Sequence, residues 1–176
     1  MEGDITTFAI DAVISNDDVE GRMWAAVASS IKSAAGADIE RDSVSRGPYS
    51  LGSAWFTYGG NLPTKGVIHV AAMDRNGKSG GLDTIRTCVR SALEEAVKRQ
   101  MESVALAPIG TYPQTVALDT WLKEIAPEVL KFFRDTASVK LAVLLVLYEP
   151  DNFNELVQLL RESVRPLMTQ DINAEH

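Results

Sequence analysis

The chain has one cysteine, Cys88, and two histidines among its 176 residues. A lone thiol has no intramolecular partner, and one thiol with two imidazoles is too small a set for a structural zinc site. No disulfide or metal is expected, and the expected setting is a reducing one, the cytoplasm. Long apolar runs are also missing. The longest, residues 141–148, falls well short of the ~20 residues that span a bilayer, so it reads as a buried strand and no membrane partner is expected. The opening Met1-Glu2-Gly3-Asp4 lacks the basic-then-apolar profile of a signal peptide. Positive charge is scarce: 17 Lys and Arg stand against 24 Asp and Glu, giving a net charge of −7. With no Lys/Arg cluster, binding to nucleic acid by phosphate neutralisation is not expected. A nucleotide pocket stays open, because backbone amides hold phosphates without help from net charge.

Two catalytic signatures are absent as well, the dinucleotide G-x-G-x-x-G and the hydrolase elbow G-x-S-x-G. Gly77-Lys78-Ser79 resembles the end of a phosphate-binding loop, but the position where that motif needs its first glycine is Ala72. What is present is an ordinary globular balance, 45% hydrophobic and 23% charged. The length suits a single domain over residues 1–165, with a frayed tail over 166–176.

Strand-like and helical stretches alternate. Residues 5–15 are β-branched and apolar, and Asn16-Asp17-Asp18 after them offers N-cap chemistry for a helix over 20–35 that stops at Gly36. Residues 54–58 and 67–73 read as strands separated by the Gly59-Gly60-Asn61 turn. The longest amphipathic pattern covers 82–101, with Ile85, Val89, Leu93 and Val97 at every fourth position. A short strand over 104–109 precedes a helix over 114–133 that Pro127 breaks, then a strand over 139–148 and a closing helix over 153–164. Strands that are apolar throughout and alternate with helices predict an α/β protein, a three-layer α/β/α sandwich.

His69 lies in an apolar strand with no acid near it in sequence and reads as a structural histidine. Cys88, on the amphipathic helix, reads as packing rather than as a nucleophile. In such sheets ligands bind outside the carboxyl ends of the strands, which directs attention to two loops. Residues 108–113 place Gly110 and Thr111 between a strand and a helix, either as an anion site or as a plain turn. Residues 15–18 carry two carboxylates at a helix start, where capping is the simpler reading. A ligand there would present hydroxyls, a sugar or water rather than phosphate.

The order of these pieces resembles the macro domain family, which binds ADP-ribose. Gly3-Asp4-Ile5-Thr6 with Asp11-Ala12-Val13-Ile14 is similar to the family's G-D-I-T segment and D-A-I-V strand. Val27 to Gly36 resembles its first helix, Thr57 to Pro63 with Val67-Ile68-His69 its T-x-G-x-L and V-I-H pair, and Ala107 to Thr111 its P-x-I-x-T-G loop. The resemblance implies a mixed sheet of six or seven strands, Asp4 accepting from an adenine amino group, and Ile5 lining the adenine pocket. It also implies that amides around Gly110, Thr111 and Tyr112 hold a diphosphate, with Tyr148 or Phe153 beside the adenine and Ser15, Asn16 and Gly21 on the ribose-side loop. The chain departs from the family at two places: Ile14-Ser15-Asn16-Asp17-Asp18 stands where family hydrolases have V-N-A-A-N, and Arg22-Met23-Trp24-Ala25-Ala26 stands in place of a glycine run.

The expected function is therefore a module binding ADP-ribose or a related adenine nucleotide, with no further cofactor. One rival is an ADP-ribosyl hydrolase using Asp18 to position or activate water. The other is a degenerate fold serving as an interaction module for a protein partner or a second copy of the chain. Asp4, Asp17, Asp18 and Glu20 all fall on segments expected to rim the pocket, so part of the acidity is expected to be local.

Overall fold

The computed structural model describes residues 1–111, 116–136, 139–148, 151 and 153–172. A 3-10 turn at Ile5–Thr7 leads into β1 (Ala12–Asp18), followed by α1 (Ala26–Ala35), α2 (Asp38–Arg46), β2 (Ala54–Tyr58) and β3 (Gly66–Met73). Then come α3 (Gly81–Lys98), β4 (Ser103–Leu106), α4 (Leu118–Glu124), α5 (Ala126–Asp135), β5 (Ala142–Leu145) and α6 (Phe153–Ile172). The sheet order is β2-β3-β1-β4-β5, with β2 antiparallel to β3 and every other pair parallel.

Period-2 alternation in the buried strands feeds two cores. Ala12 and Ile14 of β1, with Ile68 and Val70 of β3, pack on the face covered by Ile85, Val89 and Leu93 of α3 and by Trp121 and Leu122 of α4. Val13, Val67 and Ala105 pack on the other face against Ala28 and Ile31 of α1 and Ile39 of α2. This is the three-layer α/β/α sandwich that the alternation predicts. Each fully buried Leu, Ile or Val contributes about 1.5–3 kcal/mol of transfer free energy, which holds the sheet between its helices.

The described residues form five strands rather than six or seven. The start of the expected first strand is instead the 3-10 turn, because Asp4 Oδ1 accepts from the Thr6 amide at 2.9 Å and caps it. The N-terminal segment reaches the sheet through an isolated bridge between Glu2 and Leu147 and through the Met1 amine, which donates to the Leu145 carbonyl at 2.5 Å. At its other end β1 continues through Asn16-Asp17-Asp18, where a helix cap was expected, and α1 begins at Ala26 rather than near residue 20. α2 lies in a stretch too polar to show a period, since only Ile39 and Ser43 of it are buried. The expected break falls where Pro127 sits, in the first turn of α5. α6 runs on through Pro166, beyond the end expected at residue 164. Among the described residues no helix is long and apolar enough to cross a membrane.

Candidate functional site

A cleft of about 540 Å³ opens over the carboxyl ends of β4 and β5. Gly3, Asp4 and Ile5 line it, together with Val146, Leu147 and Tyr148, which follow β5. Ala26, Val27 and Ser30 of α1 and Ala107, Pro108 and Thr111, which follow β4, line it as well. Leu118 of α4 completes the lining.

The lining combines two kinds of chemistry. The Asp4 carboxylate uses Oδ1 for the Thr6 amide and hydroxyl, at 2.9 and 2.7 Å, while Oδ2 has no hydrogen-bond partner among the described residues. It stands beside the apolar Ile5, with Tyr148 exposed opposite. An acceptor next to an apolar wall and an aromatic ring suits a flat heterocycle that carries an amino group. α1 starts without a side-chain cap, at an N-cap residue that is alanine, and Ala26 and Val27 of its first turn line the cleft, so its first amides and the positive end of its dipole meet it. Ala26 has φ +21°, a region alanine rarely enters, so the backbone is strained where it lines the cleft. An uncapped helix start of this kind suits an anion.

Of the residues expected from sequence, the structure brings Asp4, Ile5, Thr111 and Tyr148 together in the cleft. Gly110 has φ +79° and a Cβ there would lie 2.5 Å from Ile85 Cδ1, so only glycine lets this loop fold onto α3. Thr111 does not cap a helix: its hydroxyl donates to the Pro108 carbonyl at 2.9 Å. Tyr112 lies outside the described residues. Phe153 packs half-buried in the core on the α3 side and does not line the cleft. Gly21, at φ +77° and packed against Ser43, shapes its loop away from the cleft. Asn16 is buried within the β1–β3 pairing, its side chain has no hydrogen-bond partner among the described residues, and it also lies off the cleft lining. The α1 residues Ala26, Val27 and Ser30 were not among the site residues expected from sequence, and the signal available was the alanine where a capping Ser, Thr or Asp would ordinarily stand.

The two neighbouring aspartates are spent on structure. Asp18 is fully buried, and its Oδ1 accepts from the amides of Glu20 and Arg22 at 2.9 and 3.0 Å. Its Oδ2 accepts from Arg22 Nε at 2.7 Å and from Trp24 Nε1 at 3.0 Å. Four donors saturate the carboxylate and explain why α1 starts late: residues 19–25 wrap around it instead of coiling. Asp17 accepts from the Ser15 hydroxyl at 2.6 Å and meets His69 Nδ1 at 2.6 Å, while His69 Nε2 meets the Thr57 hydroxyl at 2.8 Å. The acid that His69 lacks in sequence is supplied across the β1–β3 pairing. This carboxylate–imidazole–hydroxyl chain has the order of a catalytic triad, but its members are sealed in the core beneath the stacked ring of Trp55, so no substrate reaches them. Burial pushes the Cys88 thiol up to about 12, which keeps it protonated and inert. Of the four carboxylates expected at the rim, only Asp4 lines the cleft.

A family model described as the Macro domain matches residues 18–121. A protein of Aquifex aeolicus, described as uncharacterized, is 33% identical over 132 residues, which is 75% of this chain and 80% of that protein. An uncharacterized protein of Mycobacterium tuberculosis is 31% identical over 110 residues, 62% of this chain but only 30% of that longer protein. Among solved structures, a Trypanosoma brucei macrodomain in complex with ADP-ribose superposes with a TM-score of 0.77 at 20% identity, covering 93% of this chain and 67% of that one. The same macrodomain in complex with ADP gives the same TM-score.

Proposed function

Because the chain belongs to the macro domain family, we propose that its cleft binds ADP-ribose or a related adenine nucleotide. The observation that carries this reading is the uncapped N-terminus of α1, opening onto the same cleft as the half-free carboxylate of Asp4. The adenine lies against Ile5 with its amino group on Asp4 Oδ2 and Tyr148 along its edge. The phosphates take the first amides of α1 and face the loop that carries Thr111. The Trypanosoma brucei macrodomain solved with ADP and with ADP-ribose is consistent with such a ligand. The hydrolase reading gains no support from Asp18, whose carboxylate has every acceptor site engaged and no exposed surface.

The test is a thermal scan with AMP, ADP and ADP-ribose. A ligand at about 100 times its dissociation constant adds about 2.7 kcal/mol. For a chain of this length that raises the melting temperature by roughly 5–10 °C. Asp4→Asn keeps a capping oxygen for the Thr6 amide but loses the second acceptor, so it should leave the unliganded melting temperature in place and remove most of the shift. No shift with any of the three nucleotides sinks the proposal.

A further inference from the structure

The start of α1 is a strained joint held from both sides. Ala26, its first residue, has φ +21° and lines the cleft. Alanine keeps such a conformation only when the structure around it allows no other. On the helix side, Ala28, Ile31 and Ala35 are buried against the sheet and fix the position of α1. On the other side the chain is fixed three residues before Ala26. Met23 is fully buried in the same core, and its amide donates to Glu40 Oε1 at 2.8 Å. Ala25, between the two anchors, is itself buried and extended, at φ −92° and ψ 136°, which leaves the joint little slack. Glu40, in the first turn of α2, also receives Lys32 of α1, whose Nζ lies 3.2 and 3.3 Å from its two carboxylate oxygens. One partly buried carboxylate thus ties the segment ahead of α1 to the last turn of α1 itself. Neither Glu40 nor Met23 lines the cleft.

Resting on the adenine-nucleotide reading above, we infer that Glu40 is a positioning residue for that site: by tying Met23 to Lys32 it holds Ala26 in its strained conformation, so that the first amides of α1 are already presented to the phosphates before the nucleotide arrives. Glu40 itself touches no ligand. Without the tie, Ala26 relaxes to an ordinary φ in the free protein, and binding has to restore the strain, which weakens affinity. Glycine takes a positive φ without the steric penalty, so a glycine at position 26 has no strain to restore, and binding there should no longer depend on Glu40.

Isothermal calorimetry with ADP and ADP-ribose decides it, on the wild type and on variants at positions 40 and 26. Glu40→Ala is expected to lower the affinity for whichever of the two binds by at least fivefold. Glu40→Gln keeps an oxygen for the Met23 amide and should stay within twofold of the wild type. In the Ala26→Gly background, Glu40→Ala is expected to lower affinity less than twofold. A tie that serves stability alone would lower the melting temperature in both backgrounds and give no such dependence on residue 26. Equal losses of affinity in the two backgrounds therefore overturn the inference, as does a Glu40→Ala variant that binds like the wild type or a Glu40→Gln variant that binds as weakly as Glu40→Ala. Should Glu40→Ala fail to fold, the unliganded Ala26→Gly chain still decides: relief of the strain should raise its melting temperature above that of the wild type, and a lower one overturns the inference. Binding of neither ligand by the wild type is the separate result that removes the adenine-nucleotide reading itself.

Discussion

Asp17 and Asp18 are adjacent in β1 and equally buried, yet the irregularity in the β1–β3 pairing that falls between them sends them to different tasks. Asp17 serves groups that have nowhere else to turn: the Ser15 hydroxyl and the His69 ring, both fully buried. Asp18 serves backbone amides and two side chains, Arg22 and Trp24, that are about half exposed and can turn to water when the carboxylate is gone. Leaving a buried polar group unpaired costs about 1–3 kcal/mol each, so the two alanine substitutions should separate. Asp17→Ala should lose about 3 kcal/mol or more in urea unfolding, and Asp18→Ala about half as much. Equal losses, or the reverse order, show that the groups around Asp17 find other partners.

At the scale of elements, the amino ends of the central strands are tied by Asp11. Its carboxylate accepts from the Glu102 amide at 2.6 Å, just before β4, and pairs with Lys65 at 2.8 Å, just before β3. The Lys65 contact and the Glu102 amide hold the Asp11 carboxyl below its ordinary range. A folded-state value below the unfolded one adds stability that is present above the ordinary carboxylate range near about 3.9, and that is lost as pH falls through the lowered value. Asp11→Asn should therefore be less stable than wild type at pH 6, with the gap narrowing as melting is followed below about pH 4. A gap that stays constant across that range excludes this tie. Most elements were legible in the sequence: the fourth-residue spacing from Ile85 to Val97 gave α3, the apolar runs gave β3 and β4, and Pro127 gave the α4–α5 break. What was not legible depends on contacts across the chain. Asn16-Asp17-Asp18 has cap-like composition and becomes strand because Asp17 finds His69, 52 positions away. The cleft was legible at Asp4, Ile5, Thr111 and Tyr148, which lie on the matching motifs, and not at Ala26, Val27 and Ser30, whose role arises from the late start of α1.

For the molecule as a whole, the −7 charge has a different meaning once its members are placed. Asp17 and Asp18 are enclosed by donors, and Glu20 lies off the cleft with Arg75 Nη2 at 3.8 Å. Among the described residues the cleft is lined by one carboxylate, Asp4. An anionic nucleotide thus meets repulsion from the whole surface at long range and attraction from the α1 amides only at contact. Long-range terms act through salt: the Debye length falls from about 30 Å at 0.01 M to about 8 Å at 0.15 M, which screens the surface but leaves the contact amides largely unaffected. Repulsive steering of this kind shows in the association rate, while contacts set the dissociation rate. Stopped-flow mixing of the chain with ADP should show association speeding up as salt rises over that range, with dissociation nearly unchanged, so that affinity improves with salt. Association that slows with salt instead means that the positive end of α1 governs the approach, and that the net charge of the surface plays little part in it.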